Sequence, residues 1–262
     1  MDKYDSGNIQ VCFCLDENFI LPCKVLIQEI VSHTKNNITF HFIGIPPTNM
    51  NTSCECKFYE HLNTTCFTSF NLENYFHLTK AAMYRLLIPL MINSDKVLYL
   101  DIDTIVFKDI TPLWNKNIDL AGAVMDTMCN CNLKVLNNIN NNKLNLKKYF
   151  NSGVILFNSK KIRKEIPNYK QNLINIQKKY KLYFKDQDIF NILFNNRITP
   201  LEYEYNIHVN NLKENKENRL ISNKKDMAYK DPSIVHCMGP KKWWTTKGLP
   251  FEDVWNRYLN MI

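Results

Sequence analysis

The chain has little glycine, six residues in 262, and none stands in CLDENF, the stretch that closes its first apolar run. That absence excludes a nucleotidyltransferase making activated sugars, which would need a glycine-rich loop at that place to cradle phosphates. No run approaches the roughly 20 apolar residues of a membrane-spanning helix. The start, MDKYDSGNIQ, has neither the basic end nor the apolar core of a signal peptide. A soluble, cytoplasmic protein is expected, with contact to a membrane surface left open. No block of Lys and Arg interleaved with aromatics stands out, so nucleic acid is not expected as a partner. The net charge of +8 is spread over Lys/Asn-rich segments, which reads as solvated surface or as attraction to phosphate-bearing ligands. Nine cysteines would suggest disulfides in a small secreted domain, but the count is odd and no export signal is visible, so reduced thiols are expected.

What is present suits one α/β domain over residues 1–262, since 45% of the chain is hydrophobic and no repeat or linker divides it. NIQVCFCL reads as a buried strand ending at Asp16, Glu17 and Asn18. PCKVLIQEIVSHT follows with Val25, Leu26, Ile30 and Val31 at helical spacing, and ITFHFIGI is a second strand. This β-α-β opening predicts an open, mostly parallel sheet, whose ligands gather at the carboxyl ends of its strands. Further on, LTKAAMYRLLIPLMI reads as helical up to Pro89, KVLYLDIDTIVF as one strand, and DLAGAVMD and FNSGVILFN as two more. KDQDIFNILF opens a helix with acids in its first turn, and residues 250–262 form an amphipathic helix with Phe251, Val254, Trp255, Tyr258 and Leu259 on one stripe.

Asp101 and Asp103 stand at i and i+2 in the expected strand, so both carboxylates face one way and Ile102 faces the core. Like charges so placed call for a cation, and a divalent metal with oxygen ligands would keep positions open for phosphate. His236, after the apolar run SIV, would tilt such a site from Mg²⁺ towards Mn²⁺. Lys241 and Lys242 could hold a leaving diphosphate. Cys12 and Cys14 read as small buried residues on one strand face, whereas Cys54, Cys56, His61 and Cys66 suit a structural zinc by chemistry but match no zinc spacing.

CLDENF, MYRLLIP, DKVLYLDIDTIVFKDITPLW, AGAVMD, YFNSGVILFN, KDQDIFN and VHCMGPKKWW follow one another in an order that resembles glycosyltransferase family 8. The resemblance runs from about Val11 to Trp243, looks closest to bacterial lipopolysaccharide galactosyl- and glucosyltransferases, and is more distant to glycogenin. It implies a GT-A fold, that is, a Rossmann-like mixed sheet flanked by helices, and a UDP-sugar donor with Mn²⁺, or Mg²⁺ in its place. It also implies transfer with retention of a hexose, galactose or glucose first, to a glycan, glycolipid or glycoprotein. By the same resemblance Cys14, Asp16, Asn18 and Phe19 surround the uridine, and Arg85 contacts the donor. Asp101, Ile102 and Asp103 bind the metal and nucleotide, with His236 as the third metal ligand. Gly239 and Lys242 form the phosphate loop, and Asp126, Asn151, Asp186 and Gln187 surround the transferred sugar. Asp186, Gln187, Asp126 and Lys242 are the catalytic candidates. Trp243 stands where the family usually has proline, and Cys14 where a small residue such as alanine is usual. A catalytically inactive sugar- or nucleotide-binding protein of the same fold is the rival reading. The polar segments 127–150 and 206–231 are expected to meet the acceptor.

Overall fold

The computed structural model describes residues 8–50, 52–59, 80–209, 228 and 230–262. Its strands are β1 (Asn8–Leu15), β2 (Asn37–Gly44), β3 (Glu55–Tyr59), β4 (Val97–Leu100), β5 (Thr104–Val106), β6 (Ala121–Met125), β7 (Phe150–Phe157), β8 (Ile198–Leu201), β9 (Ile207–His208) and β10 (Ile234–His236). The helices are α1 (Ile20–His33), α2 (Lys80–Tyr84), α3 (Ile88–Met91), α4 (Thr111–Trp114), α5 (Cys129–Ile139), α6 (Ser159–Glu165), α7 (Tyr169–Lys179), α8 (Asp186–Leu193) and α9 (Glu252–Leu259). Seven strands make the central sheet in the order β3-β2-β1-β4-β7-β6-β8. All its neighbours pair in parallel except β7, which runs antiparallel to both β4 and β6. A three-stranded sheet, β5-β10-β9, lies beyond its end.

β1 shows why helices cover both faces. Ile9, Val11, Phe13 and Leu15 pack with Leu26, Ile27 and Ile30 of α1 on one side, while Cys12 and Cys14 pack with Met83, Leu86 and Tyr99 on the other. The period of two along a strand produces that division, and the unbroken apolar run from Val11 to Leu15 is what a sheet buried on both faces requires. Cys12 and Cys14 therefore share a buried face, as their spacing predicts. Cys54 and Cys56 flank and enter the edge strand β3; His61 and Cys66 lie outside the described residues. α9 buries Trp255 and Tyr258 against β5 and β10, within the expected 250–262 segment.

Two expectations change. KVLYLDIDTIVF is not one strand: β4 ends at Leu100, β5 begins at Thr104, and the two belong to different sheets. Asp101 still pairs with β7, its N–H donating to Gly153 O at 2.7 Å, whereas the Asp103 carbonyl accepts from Cys237 N at 2.8 Å just past β10. The chain therefore changes sheets across Asp101–Ile102–Asp103, and Thr104 Oγ1 closes the turn on Asp101 O at 2.7 Å. On its other side β5 is held by α1, where the buried Glu29 carboxylate accepts from Val106 N at 2.9 Å. The second change is at Pro89, which does not stop the helix. It occupies the first turn of α3, where its missing N–H costs no hydrogen bond.

Candidate active site

The β4–β5 turn, the end of β10 and the middle of β7 meet at the carboxyl end of β4. Asp101, Asp103 and His236 each offer a ligand atom there, all within 4.8 Å of one another. His236 Nε2 lies 3.2 Å from Asp103 Oδ1 and 3.6 Å from Asp101 Oδ2. Ile102 is buried in the core between the two acids, so the expected division of the three residues holds although the backbone is a turn and not a strand. Two carboxylates and one imidazole suit a divalent cation of the Mn²⁺ kind. They stand close enough that something positive must offset them, and the protein's own cations do so.

Arg85 meets Asp101 with two nitrogens, Nη2 at 2.9 Å from Oδ1 and Nη1 at 3.1 Å from Oδ2. Its Nε lies 3.3 Å from Asp186 Oδ2, and Nη1 also donates to the Ser152 carbonyl at 2.8 Å. Burial is the largest influence and works against the guanidinium's charge, but Asp101, Tyr99 and Asp186 together outweigh it and hold Arg85 above its ordinary range. Tyr99 OH adds a hydrogen bond to Asp101 Oδ1. At the second acid, Lys242 Nζ donates to Asp103 Oδ2 and, at 2.7 Å, to the Cys237 carbonyl. Burial disfavours ionisation of Asp103, yet His236 and Lys242 together overcome it and hold the carboxyl below its ordinary value.

A chain of amides runs from the histidine to the other acids. His236 Nδ1 is 3.0 Å from Asn206 Oδ1, and Asn206 Nδ2 donates to Asn151 Oδ1 at 2.8 Å. Because the Asn206 amide nitrogen is committed to Asn151, its oxygen faces the ring. Nδ1 then carries a proton, and Nε2 is the nitrogen turned towards the acids. Asn151 Nδ2 reaches Gln187 Oε1 at 3.1 Å and Met238 Sδ at 3.2 Å, and Gln187 Nε2 donates to Asp126 Oδ2 at 3.3 Å. Asp186 Oδ2 accepts from Ser152 Oγ at 3.0 Å; burial raises its carboxyl while Arg85 opposes the rise. Asp188, in the first turn of α8, accepts from Tyr149 OH and from Phe184 N at 2.7 Å, which fixes the loop leading to Asp186.

Asp101, Asp103, Asp126, Asn151, Asp186, Gln187, His236 and Lys242 thus join one hydrogen-bonded cluster with Arg85. Gly239 lies three residues beyond His236 and adopts φ +85°, a left-handed turn that suits glycine. Cys14 is buried at the end of β1 among the residues around Tyr99. Asp16 accepts from Asn18 N at 2.9 Å, and its Oδ2 is buried with no hydrogen-bond partner among the described residues. Phe19 packs edge-on to Trp244, with ring centroids 5.8 Å apart. Sequence reasoning missed Asn206, Ser152, Tyr99 and His208, whose ring meets that of His236 at 5.9 Å. Asn206 and His208 open the segment expected to meet the acceptor; both are buried, Asn206 just before β9 and His208 on it.

The sequence profile of glycosyl transferase family 8 matches residues 10–248. The chain belongs to this family. General stress protein A of Bacillus subtilis is 30% identical over 196 residues, 70% of this chain and 66% of that protein. A putative glycosyltransferase of Haemophilus influenzae is 25% identical over 257 residues, covering 92% of this chain and 74% of the relative. Among solved structures, galactosyltransferase LgtC in complex with donor and acceptor sugar analogs superposes with a TM-score of 0.79 at 22% identity, over 97% of this chain and 96% of that one. That likeness shows the fold, and family 8 places the GT-A architecture on this chain. Among the described residues no helix is long and apolar enough to cross a membrane.

Proposed function

We propose that this family-8 chain is, over its whole length, one catalytic domain that transfers a hexose with retention from a UDP-sugar to a glycan, glycolipid or glycoprotein. The convergence of Asp101, Asp103 and His236 within 4.8 Å supports the reading, because two carboxylates and an imidazole at the carboxyl end of the sheet could hold a divalent cation. These three residues would hold Mn²⁺, or Mg²⁺, which when bound supplies Lewis-acid stabilisation of the departing diphosphate.

The chain's own residues supply the rest. Lys242, which donates to Asp103, would offset charge on a diphosphate held at this site as the glycosidic bond breaks. Asp16 Oδ2, without a partner among the described residues, is an acceptor in the loop that the resemblance gives to the uridine. Asp126, Asn151 and Gln187 hold one another by hydrogen bonds and would line the sugar as a preformed polar wall. Asp186 secures Arg85, which in turn aims Asp101.

The test is UDP release from UDP-galactose and UDP-glucose with Mn²⁺ and with chelator. Release that needs the metal supports the reading; release indifferent to chelator, or none from any UDP-sugar, refutes it.

A further inference from the structure

Between Asp126 and Asp186 the chain carries thirteen Lys and Arg and a single acid, Glu165, so this stretch nets twelve positive charges although the whole chain nets eight. The remainder is net negative. The charge is therefore gathered, contrary to the reading from local segments.

The fold places part of this stretch at the sugar side of the cluster. Asp126 leads directly into α5, and the residues after α7 lead directly into Asp186. The two stretches are tied together, with Asn140 Nδ2 donating to Lys181 O at 2.9 Å and Lys181 N donating to Asn140 Oδ1 at 2.8 Å. Lys134, Lys143, Lys147, Lys148, Lys179 and Lys181 are exposed here. None of them forms an ion pair among the described residues, whereas Lys160 and Lys161 of α6 pair with Asp95 and Asp119. Exposed apolar side chains share the same stretches: Met128 at 56%, Val135 at 37%, Tyr183 at 51% and Phe184 at 36%. Lysines alone would suit any polyanion. Lysines interleaved with exposed aromatic and aliphatic groups suit a surface that is anionic outside and apolar just beneath.

We propose that the face formed by α5 and the loops 140–148 and 179–185 docks on an anionic lipid surface. Docking there would bring a lipid-borne acceptor towards Asp126 and Asp186, and that consequence rests on the transferase reading above. Each lysine near such a surface contributes about 1 kcal/mol, or roughly fivefold in binding.

The full chain is to be sedimented with vesicles of phosphatidylcholine containing about one phosphatidylglycerol in three lipids, and with phosphatidylcholine alone. Binding to the anionic vesicles only is expected. The variant Lys134→Gln, Lys147→Gln, Lys148→Gln, Lys181→Gln should weaken it at least about tenfold, and Tyr183→Ser with Phe184→Ser should weaken it further. Neutralising Lys35, Lys230, Lys247 and Arg257 instead should change it little. The proposal is overturned by no binding, by equal binding to both vesicles, by equal loss in both charge variants, or by binding to soluble polyphosphate without binding to vesicles. Metal-dependent UDP-sugar hydrolysis, read on the two charge variants, stays unchanged if they fold, and a failure there speaks to the transferase reading and not to the docking face.

Discussion

Arg85 grips Asp101 through both carboxylate oxygens, at 2.9 and 3.1 Å. A planar fork matched to a carboxylate fixes orientation as well as charge. Arg85→Lys keeps the charge and loses the fork. We expect a fall of about tenfold to a hundredfold in metal affinity, as for loss of a group that orients a ligand. Calorimetric titration with Mn²⁺ reads it, and an unchanged affinity would show that Asp101 needs no such support.

Asp103→Ala should abolish metal-dependent UDP binding and lower transfer at least about a hundredfold, with the protein still folded. The substitution removes the carboxylate shared by His236 and Lys242. Turnover with Mn²⁺ at the level of the unaltered protein would end the metal assignment.

Asn206→Ala removes the acceptor that keeps the proton of His236 on Nδ1. Metal affinity should drop about tenfold to a hundredfold. Asn206→Asp, which keeps an acceptor, should recover most of it. Equal loss in the two variants would assign Asn206 to packing alone.

Gly153 lies under the site with no room for a side chain. A Cβ there would stand 2.2 Å from His236 Cε1 and 2.9 Å from Asp101 Oδ2. The ring is hemmed in by Asn206, so Gly153→Ala should displace it and cost about 1–3 kcal/mol of stability. Metal affinity should fall along with the urea midpoint; a variant with normal metal binding would contradict the close approach.

His41, on β2 and far in sequence from the cluster, is a pH probe of the fold. Burial, with Lys57 adding to it, lowers its pKa from 6.5 to about 4. A histidine with a depressed pKa is neutral in the fold, so stability is full above 6.5 and declines as pH falls from 6.5 towards 4. The shift bounds that decline at about 3 kcal/mol. His41 bonds to Gln10 and Tyr59, and His41→Gln should flatten the profile across that window in urea unfolding.

The sequence disclosed those parts of the site whose chemistry has a local pattern. Asp101 and Asp103 stood out because acids inside KVLYL and TIVF need compensation, and β1, β2 and β7 because their apolar runs are long. Asn206 and Ser152 did not, since each acts only through a contact distant in the chain: Asn206 meets His236, and Ser152 meets Asp186. The turn at Asp101 was hidden for a related reason. The alternation of side chains across KVLYLDIDTIVF is the same whether one strand continues or two strands meet end to end, and only β7 and β10, competing for the backbone on either side, decide between them.

That exchange of partners makes the acidic turn a joint. Asp101 rides on the end of the large sheet, Asp103 and His236 on the small one, and a cation held by all three would be a rivet through both. Removing it should loosen the seam before it loosens either plate, so that amide protons of β5 and β10 exchange faster while those of β1 keep their protection.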